Sequence, residues 1–126
     1  MTPVPHAASL AIALMALTAT IGFAHAGLTL TLGAHPFWSA RIAWIGAPVG
    51  AMLAVILARG GGWRAVIGFA ILTAATLALA HYGKTAFAAS YAEDRLAGRV
   101  WYFGWIGTCA GFAAMLTAAG HRLFRR

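Results

Sequence analysis

Four stretches without a single charged residue, 7–33, 42–58, 65–83 and 100–120, take up most of this 126-residue chain. About 20 apolar residues, at 1.5 Å per residue of helix, cross roughly 30 Å of hydrocarbon, so each stretch meets or nearly meets that length. Hydrocarbon offers no water to unpaired N–H and C=O groups, which leaves only helices and closed barrels. The stretches are rich in Ala, Leu, Gly and Ile, without the alternation that a barrel requires. The expected fold is an all-α membrane protein: one domain, 1–126, with four transmembrane helices in a bundle. Short connections at 34–41 and 58–64, and a longer one at 84–99, join them.

Composition supports this class. Hydrophobic residues make up 62% of the chain and charged residues 9%, and the mean hydropathy is +0.81, whereas soluble domains carry about 25% charged residues. The net charge of +7 raises nucleic acid as a partner. However, Arg41, Arg59, Arg64, Lys84, Arg95, Arg99, Arg122, Arg125 and Arg126 are spread along the chain and form no basic stripe. That distribution marks helix ends at a membrane surface and argues against nucleic-acid binding. Cys109 is the single cysteine, so no intrachain disulfide forms and no Cys/His zinc spacing exists.

The first stretch contains Ala24-His25-Ala26, the type of triplet a signal peptidase reads. The segment before it opens without Lys or Arg, and the apolar run continues through "GLTLTLG", so the expectation is that it is retained. Four spans place the N-terminus, the 58–64 hinge and the C-terminus on one side. Five arginines lie on that side and four cations on the other, and Glu93 and Asp94 are on the far side. The positive-inside rule then gives a bacterial inner-membrane protein with both termini cytoplasmic. Phe37, Trp38, Trp44, Tyr82, Trp101, Tyr102 and Trp105 are expected as a non-cytoplasmic aromatic belt, with Trp63 and Phe124 on the cytoplasmic side.

Small residues indicate where helices meet. Gly46 and Gly50 form one Gly-xxx-Gly pair, and Gly107 and Gly111 form another, with Gly104 one turn earlier. Such faces allow close backbone approach, either within one bundle or against a partner or second copy. Pro48 removes a hydrogen bond between the first two glycines and is expected to bend its helix. In the 84–99 connection, Phe87, Tyr91 and Arg95 recur at four-residue spacing, which predicts a short amphipathic interfacial helix over 85–97, stopped by Gly98. Arg95 and Arg99, one turn apart, are candidates to hold a lipid phosphate or a partner's carboxylate. The alternative is a solvated face, partly neutralised by Glu93 and Asp94. These two acids are adjacent on a helix and point about 100° apart, which suits them poorly to acid–base catalysis.

His25 is the sharpest candidate, because an ionisable side chain inside a span is a functional candidate by default. Paired with His81 near the end of the third span, it is the candidate for axial ligation of haem b. Against this, their depths differ by about 5 Å at 1.5 Å per residue. His25 is also a candidate for metal binding or proton transfer. The competing expectation is a neutral imidazole tying helices together through Thr18, Thr29, Thr73 or Thr76. His35 lies in the first connection, and His6 and His121 are expected as interfacial residues at helix ends.

No Asp or Glu falls in any span, as a coupled transporter would require. The chain has no P-loop, His-Glu-x-x-His or Gly-x-Ser-x-Gly motif. The expected role is a small, non-catalytic accessory or assembly subunit of a larger membrane complex, without a cofactor. Its partners would be membrane lipid together with other membrane subunits or a second copy of itself. The alternatives are a haem b electron-transfer subunit using His25 and His81, and an oligomeric channel or transporter for small solutes.

Overall fold

The computed structural model describes residues 3–125 and is all-helical. Its elements are α1 (His6–His25), α2 (Leu28–Thr31), α3 (Arg41–Leu57), α4 (Gly62–Ala89) and α5 (Arg95–Phe124). Helices α1, α4 and α5 are long and apolar enough to cross a membrane, and α3, at 17 residues, is a shorter apolar helix.

The expected first span, 7–33, does not continue as one helix. α1 ends at His25, and Gly27 adopts φ +97°, a left-handed conformation that reverses the chain into α2. Gly33 repeats the device at φ +120° on the far side of α2. L side chains avoid this region, so glycine is the residue that allows both turns. The predicted interfacial helix over 85–97 is also absent. α4 runs unbroken to Ala89, and Tyr91 and Ala92 turn the chain at φ 56° and 67°. α5 then begins at Arg95 with Asp94 as its N-cap, the carboxylate accepting from the Ala97 N–H at 3.0 Å. Ser90 supports the turn by accepting from the Asp94 N–H at 2.9 Å. Gly98 therefore lies inside a helix; a Cβ there would sit 3.1 Å from the Phe87 ring.

α5 is the hub, with α1, α3 and α4 all packed on it; α1 also touches α3, while α4 meets no other helix. Levels along α5 give the directions. From α4, Gly83 meets Ala97 and Trp101, Ala80 meets Gly104, Thr76 meets Gly107 and Thr73 meets Gly111, so these two helices are antiparallel. From α3, Gly46 meets Ile106 and Gly50 meets Ala110, a parallel pair. From α1, Ser9 meets His121, an antiparallel pair. The start of α1, the α3–α4 connection and the end of α5 thus share one end of the molecule, called the inner end below.

The core is built from small residues and a few large ones. Ile42, Ala43, Ala47, Ala80, Trp105, Cys109 and Ala113 are buried together, and Ala54, Ala58, Ala114 and Ala118 form a second cluster nearer the inner end. Without water to drive apolar surfaces together, close backbone approach and dispersion hold such helices. Trp101 and Trp105, expected in the aromatic belt, belong to this core at 9% and 2% exposure. Phe37, Trp44 and Tyr82 stay exposed.

Candidate functional site

At the outer end, His25 closes α1 as its last residue and is exposed. Its Nε2 accepts the Trp44 indole N–H at 2.8 Å, so α1 is tied to α3 through an aromatic donor and not through a threonine. The two rings meet edge to face. His81 is also exposed, and it stands with Lys84 over Gly33: a Cβ on that glycine would lie 3.2 Å from the His81 ring and 3.5 Å from Lys84 Nζ. Between α1 and α4, floored by α5, is a cavity of about 150 Å³; neither histidine lines it. Sites for larger cofactors run to about 300–1,000 Å³. The two histidines have different partners and share no cavity, so this arrangement does not fit a bis-histidine haem. Among the described residues, no group of three or more His, Cys, Asp or Glu is placed to hold a metal ion.

His35 belongs to an aromatic knot that locks the outer end. It stacks on Trp38 and meets Trp101 edge to face at 5.4 Å, while Trp38 packs against both Trp101 and Tyr102 at 5.2 Å. The Trp101 N–H donates to the Gly33 carbonyl at 3.0 Å, and Thr29 donates to the Ser39 carbonyl at 2.7 Å. These bonds satisfy backbone carbonyls in the irregular connection between α2 and α3.

Sequence reasoning missed the inner-end junction. His121 is buried, not interfacial, at 1% exposure. Its Nδ1 lies 3.3 Å from the Ala58 carbonyl and its Nε2 lies 2.8 Å from the Ser9 hydroxyl. A carbonyl only accepts, so Nδ1 carries the proton and Nε2 accepts from Ser9. One imidazole thereby joins α1, the end of α3 and α5. Nearby, Arg59 Nη1 lies 2.8 Å from the ring of the exposed His6. A histidine and a serine at apolar helix ends were the available signals, but nothing in their spacing paired them across 112 residues.

Of the two expectations for the glycine pairs, contact within the bundle or with a partner, the chain's own helices fill them. A Cβ on Gly46 would sit 3.0 Å from Cys109 Cβ, and one on Gly50 would overlap the Ala110 carbonyl. Gly107 and Gly111 are closed by Thr76 and Thr73. Arg95 and Arg99 are exposed in the first two turns of α5. Among the described residues, neither arginine is paired with Glu93 or Asp94, and Asp94 is committed to the helix cap.

The most open helix face is elsewhere, on α4. Only 6% of its apolar stretch is buried, against 50% for α5. Opposite the face that meets α5, Gly68, Ile71, Ala75, Ala78, Tyr82 and Thr85 follow alternating spacings of three and four, and all are exposed. Ile67, Leu72 and Leu79 are exposed beside them, and α1 exposes Ala7, Ala11, Thr18 and Gly22 next to Leu10, Leu14 and Met15, so what sets α4 apart is how little of it is covered. Compared with known proteins, the chain matches no family model, no curated protein and no solved structure.

Proposed function

We propose that this chain is a small, non-catalytic accessory subunit of a larger membrane assembly, seated against its partner through the outer face of α4. The observation that carries the reading is how little of α4 is covered: 6% of its apolar stretch is buried, against 33% for α1 and 50% for α5. Gly68, Ala75 and Ala78 on this uncovered face let a second backbone approach closely. A helix held by one neighbour and carrying such a seam on its opposite side has a place for another helix.

In this reading the chain crosses the membrane four times. α3, at 17 residues, spans about 25 Å, the lower end of what a bilayer core accepts. The inner end carries Arg59, Arg64, Arg122 and Arg125, with Arg126 next in sequence. That bias favours a cytoplasmic inner end with both termini there, in a bacterial inner membrane.

The test is affinity purification from the native membrane in mild detergent, comparing the wild type with Ala75→Leu and Ala78→Leu. The expected result is a stoichiometric membrane partner, recovered at least tenfold less with either variant, since a bulky side chain at the seam separates the backbones. A wild type that comes out alone and monomeric, or variants that recover the partner undiminished, would refute the reading. Recovery of a second copy of the chain alone would assign the face to a homo-oligomer.

A further inference from the structure

The cavity between α1 and α4 is lined by Thr20 and Phe23 from α1, Leu32 just after α2, Leu77 from α4, and Trp105 and Thr108 from α5. Its threonines contribute no free polarity. Thr20, Thr73 and Thr108 donate to the Ala16, Phe69 and Gly104 carbonyls of their own helices, and Thr29 donates to the Ser39 carbonyl. What remains is an apolar wall. Apolar cavities of about this size stay dry and accept hydrocarbon. The backbones of α1 and α4 stay apart along this gap, and in a membrane hydrocarbon chains would be supplied to it.

The outer rim of the same gap carries one cation, Lys84, with the His81 imidazole beside it. His81 is one helical turn beyond Leu77 on α4, and Lys84 lies about 10 Å beyond Leu77 at 1.5 Å per residue. Both stand over Gly33, the residue that follows the cavity-lining Leu32. Lys84 is exposed and, among the described residues, has neither an ion pair nor a hydrogen bond. Asp94, one of the two acids in the chain, is used as a helix cap.

We propose that the chain holds one anionic phospholipid as a resident ligand, with a segment of one acyl chain in this cavity and its phosphate on Lys84 beside His81. The lining accepts hydrocarbon and rejects polar solutes, and the rim supplies the positive charge for the headgroup. A zwitterionic headgroup brings its own cation to that rim and is held less well. The site lies on the side of α4 toward α1, away from the Ala75–Ala78 seam, so it stands independently of any partner there.

Native mass spectrometry of the purified chain, with phosphatidylglycerol or phosphatidylcholine of matched chains, tests this. The wild type is expected to retain one phosphatidylglycerol with about fivefold preference, the size of one lysine's attraction to an anionic lipid. Lys84→Gln, at an exposed position, is expected to bring the preference close to unity. Leu77→Phe, which puts a ring into the cavity, is expected to abolish retention. Phosphatidylglycerol with brominated chains is expected to quench the wild type more than Trp105→Phe. Equal retention of the two lipids by the wild type, an unchanged preference in Lys84→Gln, or equal quenching of wild type and Trp105→Phe would each overturn the proposal.

Discussion

Replacing Gly50 with alanine should loosen the contact between α3 and α5. A Cβ at this position overlaps the Ala110 carbonyl oxygen and would lie 2.5 Å from its carbon and 2.7 Å from its Cα. All three obstacles are backbone, so no side chain can rotate away and the two helices must move apart. Overpacking ordinarily costs about 1–3 kcal/mol, and a rigid obstacle places Gly50→Ala near the upper end. Alanine recovers about 1 kcal/mol through its helix propensity over glycine. The net expectation is a loss of about 2 kcal/mol, or about 30-fold in the unfolding equilibrium, since 1.4 kcal/mol is tenfold. Reversible unfolding in mixed micelles, followed by far-UV circular dichroism, measures it. Gly22→Ala is the control, because a Cβ there meets nothing within 4 Å. If Gly50→Ala were as stable as the wild type while Gly22→Ala was also unperturbed, the α3–α5 approach described above would be wrong.

Ser9→Ala removes the hydroxyl that donates to buried His121 and should cost about 1–3 kcal/mol by the same unfolding measurement, the penalty for an unsatisfied buried acceptor; adding His121→Phe should recover part of that loss. Asp94→Ala should destabilise the chain by about 1 kcal/mol and Asp94→Asn by less, because asparagine also caps well; equal losses would argue against a capping role. Ala92→Gly should stabilise by roughly 1 kcal/mol, since a non-glycine residue at φ 67° carries about 1–2 kcal/mol of strain.

The positions where expectation and structure part share a cause. Read from sequence, 7–33 is one apolar run, because a near-neutral glycine does not interrupt a hydropathy average; the break appears only once Gly27 and Gly33 take left-handed conformations. The 84–99 connection reads as amphipathic because Phe87 recurs in step with Tyr91. The structure divides them instead, with Phe87 against Gly98 and Trp101 inside the hairpin and Tyr91 at its exposed tip. His25 was legible as a helix tie, but its partner was not, since Trp44 lies 19 residues away and no local spacing selects it over a threonine.

Some properties follow from the amino-acid order alone. Charge-free runs impose helices suited to a membrane because the backbone has no other way to satisfy itself in hydrocarbon, and the short polar connections bound where those helices can end. Other properties were decided by tertiary packing. Lipid and a neighbouring helix are equally apolar, so hydropathy cannot separate a face that meets α5 from one that meets acyl chains. Backbone clearance separates them: Gly46, Gly50, Gly107 and Gly111 are closed by the chain itself, and the small residues of α4 are left facing outward.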